Sequence, residues 1–179
     1  MKKFTSLFGA CVLTFFLLSP SYSIDREYLD GAALQELNED APDFTIKGEG
    51  SRMIGLKDLR GKVIILHFWA TWCKPCRIEF PAFERLYDDF KDKDFVFLAV
   101  SIDEKVSREE LNEFAKTLGA GFPVYLAREG DVTDRYWSLG VPLTYFIDKK
   151  GRIAGRKIGP GNWDEGGAGE LIKALLKER

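Results

Sequence analysis

The apolar positions of this chain follow two periods. Val63-Ile64-Ile65-Leu66-His67-Phe68-Trp69 is almost continuously apolar, the pattern of a strand buried on both faces. Phe95–Ser101 and residues 122–126 repeat that pattern. Between the first two runs, Ile78, Phe83, Leu86, Tyr87 and Phe90 recur near helical spacing and predict a helix, with Pro81 inside it as an expected kink. A second helix is predicted from Leu111, Phe114, Ala115 and Leu118. Ser107 can cap it, Glu109 and Glu110 suit its positive end, and Gly119 stops it. Residues 132–137 read as a short helical turn. Residues 143–148 and 152–157 read as an antiparallel hairpin turned by Lys149-Lys150-Gly151, and Leu171, Ile172, Leu175 and Leu176 mark a last amphipathic helix.

Strands that alternate with helices give a parallel core, and the hairpin adds antiparallel strands. The predicted class is therefore α/β, a central mixed sheet flanked by helices in one domain spanning 41–179. The part before it is less regular. Residues 24–40 are polar with a weak helical pattern, a short helix or a loose arm, and 41–46 turn into a short strand. A Gly-rich turn occupies 47–52.

The first 23 residues are of another kind. Lys2 and Lys3 precede an apolar stretch from Phe4 to Leu18, and Ser21-Tyr22-Ser23 offers small residues where a signal peptidase reads. Cleavage is expected after Ser23, which places the mature chain in the periplasm. The run is shorter than the ~20 residues a spanning helix needs, so an uncleaved anchor is the lesser alternative. A lipid anchor at Cys11 is weaker again, because much of the apolar run follows it.

Cleavage changes the cysteine and charge inventories. Of 26 basic residues the leader removes Lys2 and Lys3, leaving 24 against 28 acidic, a net of −4 with no electrostatic pull toward nucleic acid. Of three cysteines only Cys73 and Cys76 remain. An exported chain with one closely spaced pair is not a disulfide-stapled scaffold, since a ring this small constrains little of the unfolded chain. Zinc usually takes four ligands, and His67 is the sole histidine that could join the two thiols. The pair reads instead as a redox device. A strand delivers Trp72-Cys73-Lys74-Pro75-Cys76 to the start of a helix, whose partial positive charge and free N–H groups favour a thiolate, the attacking species.

These residues resemble the thioredoxin superfamily, and more narrowly the exported thiol-disulfide oxidoreductases of the TlpA and ResA type, which include the reductases of cytochrome c maturation. Two blocks carry the resemblance, Phe68-Trp69-Ala70-Thr71-Trp72-Cys73-Lys74-Pro75-Cys76-Arg77-Ile78-Glu79-Phe80-Pro81 and Gly140-Val141-Pro142-Leu143-Thr144-Tyr145-Phe146-Ile147-Asp148. It extends from Ala41-Pro42-Asp43-Phe44 to the last helix, and residues 101–124 fit the strand–helix insertion of that subfamily.

The resemblance implies a thioredoxin-like fold, Cys73 as nucleophile and Cys76 as resolving thiol. It implies a cis Pro142 facing the disulfide, with the Val141 backbone open to an extended substrate. Lys74 and Pro75 tune the pair, and Trp72 is a candidate for the docking surface or for rim packing. His67 stands where thioredoxins often carry a buried acid, either as a proton acceptor for Cys76 or as a satisfied core residue. Glu79 follows the family pattern and reads as a helix surface charge ahead of a proton-transfer group. No cofactor or metal is needed. The expected partners are proteins bearing disulfides or thiols and a membrane electron donor. The expected direction is reduction. A disulfide-donating oxidase, a peroxide-reducing enzyme and a non-catalytic thiol- or peptide-binding chaperone are the alternatives. Peroxide turnover would lack a peroxidatic cysteine outside the pair.

Overall fold

Strand β4 (Val63–Trp69) is buried at every position, and the sheet is built outward from it. The computed structural model describes residues 26–48, 50, 52–136, 140–164 and 167–178; the leader read at 1–23 lies outside them. On one side β4 pairs in parallel with β5 (Phe95–Ser101), which pairs in parallel with β6 (Val124–Leu126). On the other side it pairs antiparallel with β7 (Leu143–Ile147), the first arm of the hairpin completed by β8 (Arg152–Ile158). The mixed sheet runs β1-β8-β7-β4-β5-β6, as the alternation of elements implied.

The edge strand β1 (Gln35–Asp40) corrects the reading of residues 24–40. A short helix forms, α1 (Arg26–Gly31), but the rest is no arm: it lies antiparallel along β8. Its polar sequence hides it because the strand is mostly exposed and is held by main-chain pairing rather than by an apolar face. A separate two-stranded ribbon joins β2 (Thr45–Lys47) to β3 (Met53–Gly55).

Period-two alternation divides the core. Val63, Ile65 and Trp69 of β4, with Phe97 and Ala99 of β5, face α2 (Lys74–Phe90), α3 (Arg108–Thr117) and α5 (Ala168–Lys177). Ile64, Leu66 and Phe68, with Leu98 and Val100, face the segment around Phe44 and α4 (Val132–Tyr136). Each fully buried large side chain contributes about 1.5–3 kcal/mol of transfer free energy. Ser107 caps α3 through a reciprocal box with Glu110, and Gly119 follows with φ +85°. Helix α2 runs on through Pro81 to Phe90. Ile78 departs from the predicted apolar stripe: it is 69% exposed, because the buried face of α2 is made by Cys76, Glu79, Phe80, Phe83, Leu86 and Phe90. Among the described residues no helix is long and apolar enough to cross a membrane.

Candidate active site

The parallel strands β4 and β5 end side by side, Trp69 opposite Ser101, and the chain leaves β4 there to build the site. A tight turn follows, closed by the Cys73 N–H on the Ala70 carbonyl at 3.0 Å. Cys73 is the N-cap of α2, with extended backbone, and its sulfur accepts the N–H of Cys76 at 3.3 Å. The two cysteines form a disulfide with their Cα atoms 5.3 Å apart. Pro75 occupies the first helical turn, where its missing N–H has no intrahelical acceptor to lose. Cys73 is 4% exposed and Cys76 fully buried, so Cys73 is the less enclosed of the two. Lys74 and Pro75 are exposed beside it, and Trp72 stands 66% exposed on the turn.

The Val141–Pro142 peptide bond is cis. Pro142 directly precedes β7, whose Leu143 lies opposite Phe68 near the end of β4. Val141 packs against the cluster that contains Cys73 and Cys76. The two sequence blocks thus meet at one end of the sheet.

His67 lies inside. Its Nδ1 is 2.9 Å from the hydroxyl of Thr144, its cross-strand neighbour, and its ring lies against Phe83, with centroids 4.5 Å apart. Nε2 has no protein partner among the described residues. Burial among these rings pulls the imidazole down to about 3, so it stays neutral at physiological pH. A neutral, strongly desolvated imidazole does not hold a proton near neutrality, which weighs against the proton-acceptor role the sequence allowed.

Glu79 is the reverse case. It is not the surface charge its sequence suggested but a side chain only 4% exposed. Oε1 accepts the Gly161 N–H at 2.7 Å and the Trp163 indole N–H at 2.6 Å, while Oε2 has no partner among the described residues. Burial raises the carboxyl to about 7, and the two hydrogen bonds pull the other way without cancelling it. Glu79 sits one turn beyond Cys76 on the same helix face, so a group that titrates near neutrality lies beside the dithiol.

The loop that holds Glu79 is fixed from several sides. Trp163 stacks on Phe83 at 5.0 Å, and Arg85 makes a two-pronged ion pair with Asp164. At Gly161 a Cβ would come within 2.6 Å of the Trp163 ring, so only glycine fits. Sequence reading missed Gly161 and Trp163. The helix stripe itself carried the signal for Glu79, which lies three residues after Cys76 and four before Phe83. Among the described residues no group of three His, Cys, Asp or Glu side chains gathers as a metal site.

The arrangement is a Cys-x-x-Cys disulfide at a helix N-terminus, flanked by a cis-proline loop and a buried carboxyl. The chain as a whole is similar to known proteins. Residues 37–156 match the AhpC/TSA family. The thiol-disulfide oxidoreductase ResA of Bacillus subtilis (strain 168) is 33% identical over 154 residues, covering 86% of this chain and 85% of that protein. The ResA of Bacillus thuringiensis subsp. konkukian (strain 97-27) is 31% identical over 153 residues, covering 86% and 87%. A crystal structure from Chlorobium tepidum, assigned as a thiol:disulfide interchange protein DsbE, superposes with a TM-score of 0.66 at 30% identity over 80% of this chain and 99% of that one. The chain therefore belongs to the thioredoxin-like AhpC/TSA family and is a thiol-disulfide oxidoreductase.

Proposed function

We propose that this chain is exported, loses residues 1–23, and reduces disulfides of other proteins in the periplasm with electrons from a membrane dithiol protein. In the reduced chain the Cys73 thiolate attacks one sulfur of a substrate disulfide. That S–S bond breaks, a Cys73–substrate disulfide forms, and the second substrate sulfur leaves as a thiolate that takes up a proton. Cys76 then gives up its proton and attacks the Cys73 sulfur. The mixed disulfide breaks, and the second substrate thiol is released. The substrate has gained two electrons and two protons, and the chain is left with the Cys73–Cys76 disulfide. A dithiol donor reverses that oxidation by the same two exchanges.

The observation that carries the reducing direction is the buried Glu79 carboxyl one turn from Cys76. When ionised it places negative charge beside the dithiol, which opposes the thiolate and raises the energy of the reduced form. A neutral His67 adds no positive charge to offset it. The carboxylate therefore lowers the reduction potential. Glu79 is also placed to take the Cys76 proton when Cys76 attacks, because its affinity for a proton lies near ambient pH. An apocytochrome c is a client of fitting chemistry, since its haem-attachment motif is itself a Cys-x-x-Cys-His run.

The test is the reduction potential of the pair in the mature chain. A reductase is expected near the thioredoxin value of about −270 mV. A potential near the about −120 mV of a strong periplasmic oxidant would overturn the reading and make the chain a disulfide donor.

A further inference from the structure

Just past the end of β5 lies a buried acid that the exchange chemistry does not use. Asp103 and Ser101 are both buried. Oδ2 of Asp103 accepts the Thr71 N–H at 2.9 Å and the Ser101 hydroxyl at 2.6 Å, and Oδ1 accepts the Thr71 hydroxyl at 2.8 Å. The Asp103 N–H donates back to the Ser101 oxygen at 3.1 Å. The acid is itself held in place. Arg128 donates to the carbonyls of Asp103 and Val106 at 2.8 and 2.7 Å, and the Ile102 N–H donates to Trp69 at 2.9 Å.

Thr71 is the middle of the turn that carries Trp72 and Cys73. Asp103 thus grips both its main chain and its side chain, from the segment just past β5, which is not part of the redox motif. This matters most when the disulfide is open. In the closed form the bond to Cys76 holds Cys73 at the start of α2. In the dithiol that tether is gone. The thiolate is stabilised only while its sulfur stays near the Cys76 N–H and the positive end of the helix. The turn has one backbone closure of its own, Cys73 on Ala70, and the Thr71–Asp103 grip is its second anchor.

We propose that Asp103 is a positioning residue for the exchange reaction: through Thr71 it keeps the Cys73 sulfur on the helix N-terminus in the reduced state. Asp103 acts by geometry, through its acceptor oxygens, and does not touch the sulfur. The inference rests on dithiol–disulfide exchange at Cys73 and Cys76, whichever direction the reaction runs.

The test is the pH profile of Cys73 alkylation in the fully reduced mature chain, with denaturant stability measured on the same samples. Asp103→Ala removes all three bonds to the carboxylate. Asp103→Asn keeps an oxygen for the Thr71 N–H and the Ser101 hydroxyl, and the Thr71 hydroxyl can turn to accept from the new amide. D103A is expected to move the Cys73 midpoint up by about one pH unit, about tenfold less thiolate at a given lower pH. D103N should stay close to wild type. A folded D103A with the wild-type midpoint overturns the proposal, because a purely structural role costs stability and leaves the thiol unchanged. D103N shifting as far as D103A overturns it too, since the acceptor oxygen it keeps would then not be what holds the sulfur in place; loss of the charge alone would move the midpoint down, not up. Should D103A not fold, Thr71→Val, which removes only the hydroxyl bond, is expected to raise the midpoint by a smaller amount, and an unchanged midpoint there counts against the proposal. Exchange with a protein disulfide, measured in parallel on wild type, reports separately on the underlying reaction.

Discussion

The two faces of the central sheet are packed to different ends. On the face away from the disulfide, buried polar groups are tied off. The Tyr136 hydroxyl donates to the Pro42 carbonyl at 2.6 Å, and the Tyr145 hydroxyl donates to the Tyr136 carbonyl at 2.7 Å. On the α2 face, His67 Nε2, Trp69 Nε1 and Glu79 Oε2 are buried without a protein partner among the described residues. An unmet buried polar group is costly, on the order of 1–3 kcal/mol. All three lie on β4 and α2, the elements that deliver the cysteines. One face therefore ties its polar groups off within the protein, while the other buries a histidine and a carboxyl on the elements that carry the cysteines.

The largest effect concerns the pair itself. Cys76→Ser should halt exchange after the first step and accumulate mixed disulfides with partners, while Cys73→Ser should accumulate none. Non-reducing electrophoresis of extracts from cells carrying each variant distinguishes the two, and the opposite pattern would exchange the roles of the two sulfurs.

Next come matched lesions on the two faces. Phe83→Leu and Phe44→Leu each loosen a fully buried ring and should each cost about 1–3 kcal/mol in denaturant unfolding. Only F83L should alter exchange kinetics, because Phe83 touches His67 and stacks on Trp163, the donor to Glu79. Equal kinetic effects from both would erase the distinction between the faces.

A subtler effect lies in the pH dependence of stability. Glu79 binds its proton more tightly when folded, at about 7 against an ordinary 4.5, so its contribution is complete below 4.5 and is lost as pH rises through about 7. His67 is the mirror image. It refuses a proton when folded, so its contribution is complete above 6.5 and is lost as pH falls toward about 3. Between 4.5 and 6.5 the two slopes oppose, and the wild-type profile should be nearly flat there. Glu79→Gln removes one of them. Its stability should then climb with pH across that window, by at most about 1.4 kcal/mol per unit. Parallel profiles for E79Q and wild type would show that the carboxyl is not held as described.

Much of this molecule was legible in its sequence, for physical reasons that also mark where reading failed. The runs in β4 and β5 announce themselves because strands buried on both faces need no alternation. Cys73, Cys76 and Pro142 sit in contiguous blocks whose chemistry is local to the motif. Strand β1 was invisible because Gln35–Asp40 is mostly exposed and gains its place from β8, more than a hundred residues on. The burial of Glu79 depends on Gly161 and Trp163, 82 and 84 residues away, which no local pattern relates to it. Asp103 is locally no more than a polar residue after a strand. Its importance comes from the parallel pairing that sets the ends of β4 and β5 together.

The most direct measurement is the reduction potential of the Cys73–Cys76 pair in wild type and E79Q across pH. If the buried carboxylate sets the reducing character, E79Q should lie at least about 30 mV above wild type at pH 8, a tenfold change in the exchange equilibrium. The gap should close by pH 5, where Glu79 is protonated in the wild type as well. Coincident potentials at every pH would mean that Glu79 does not govern the pair.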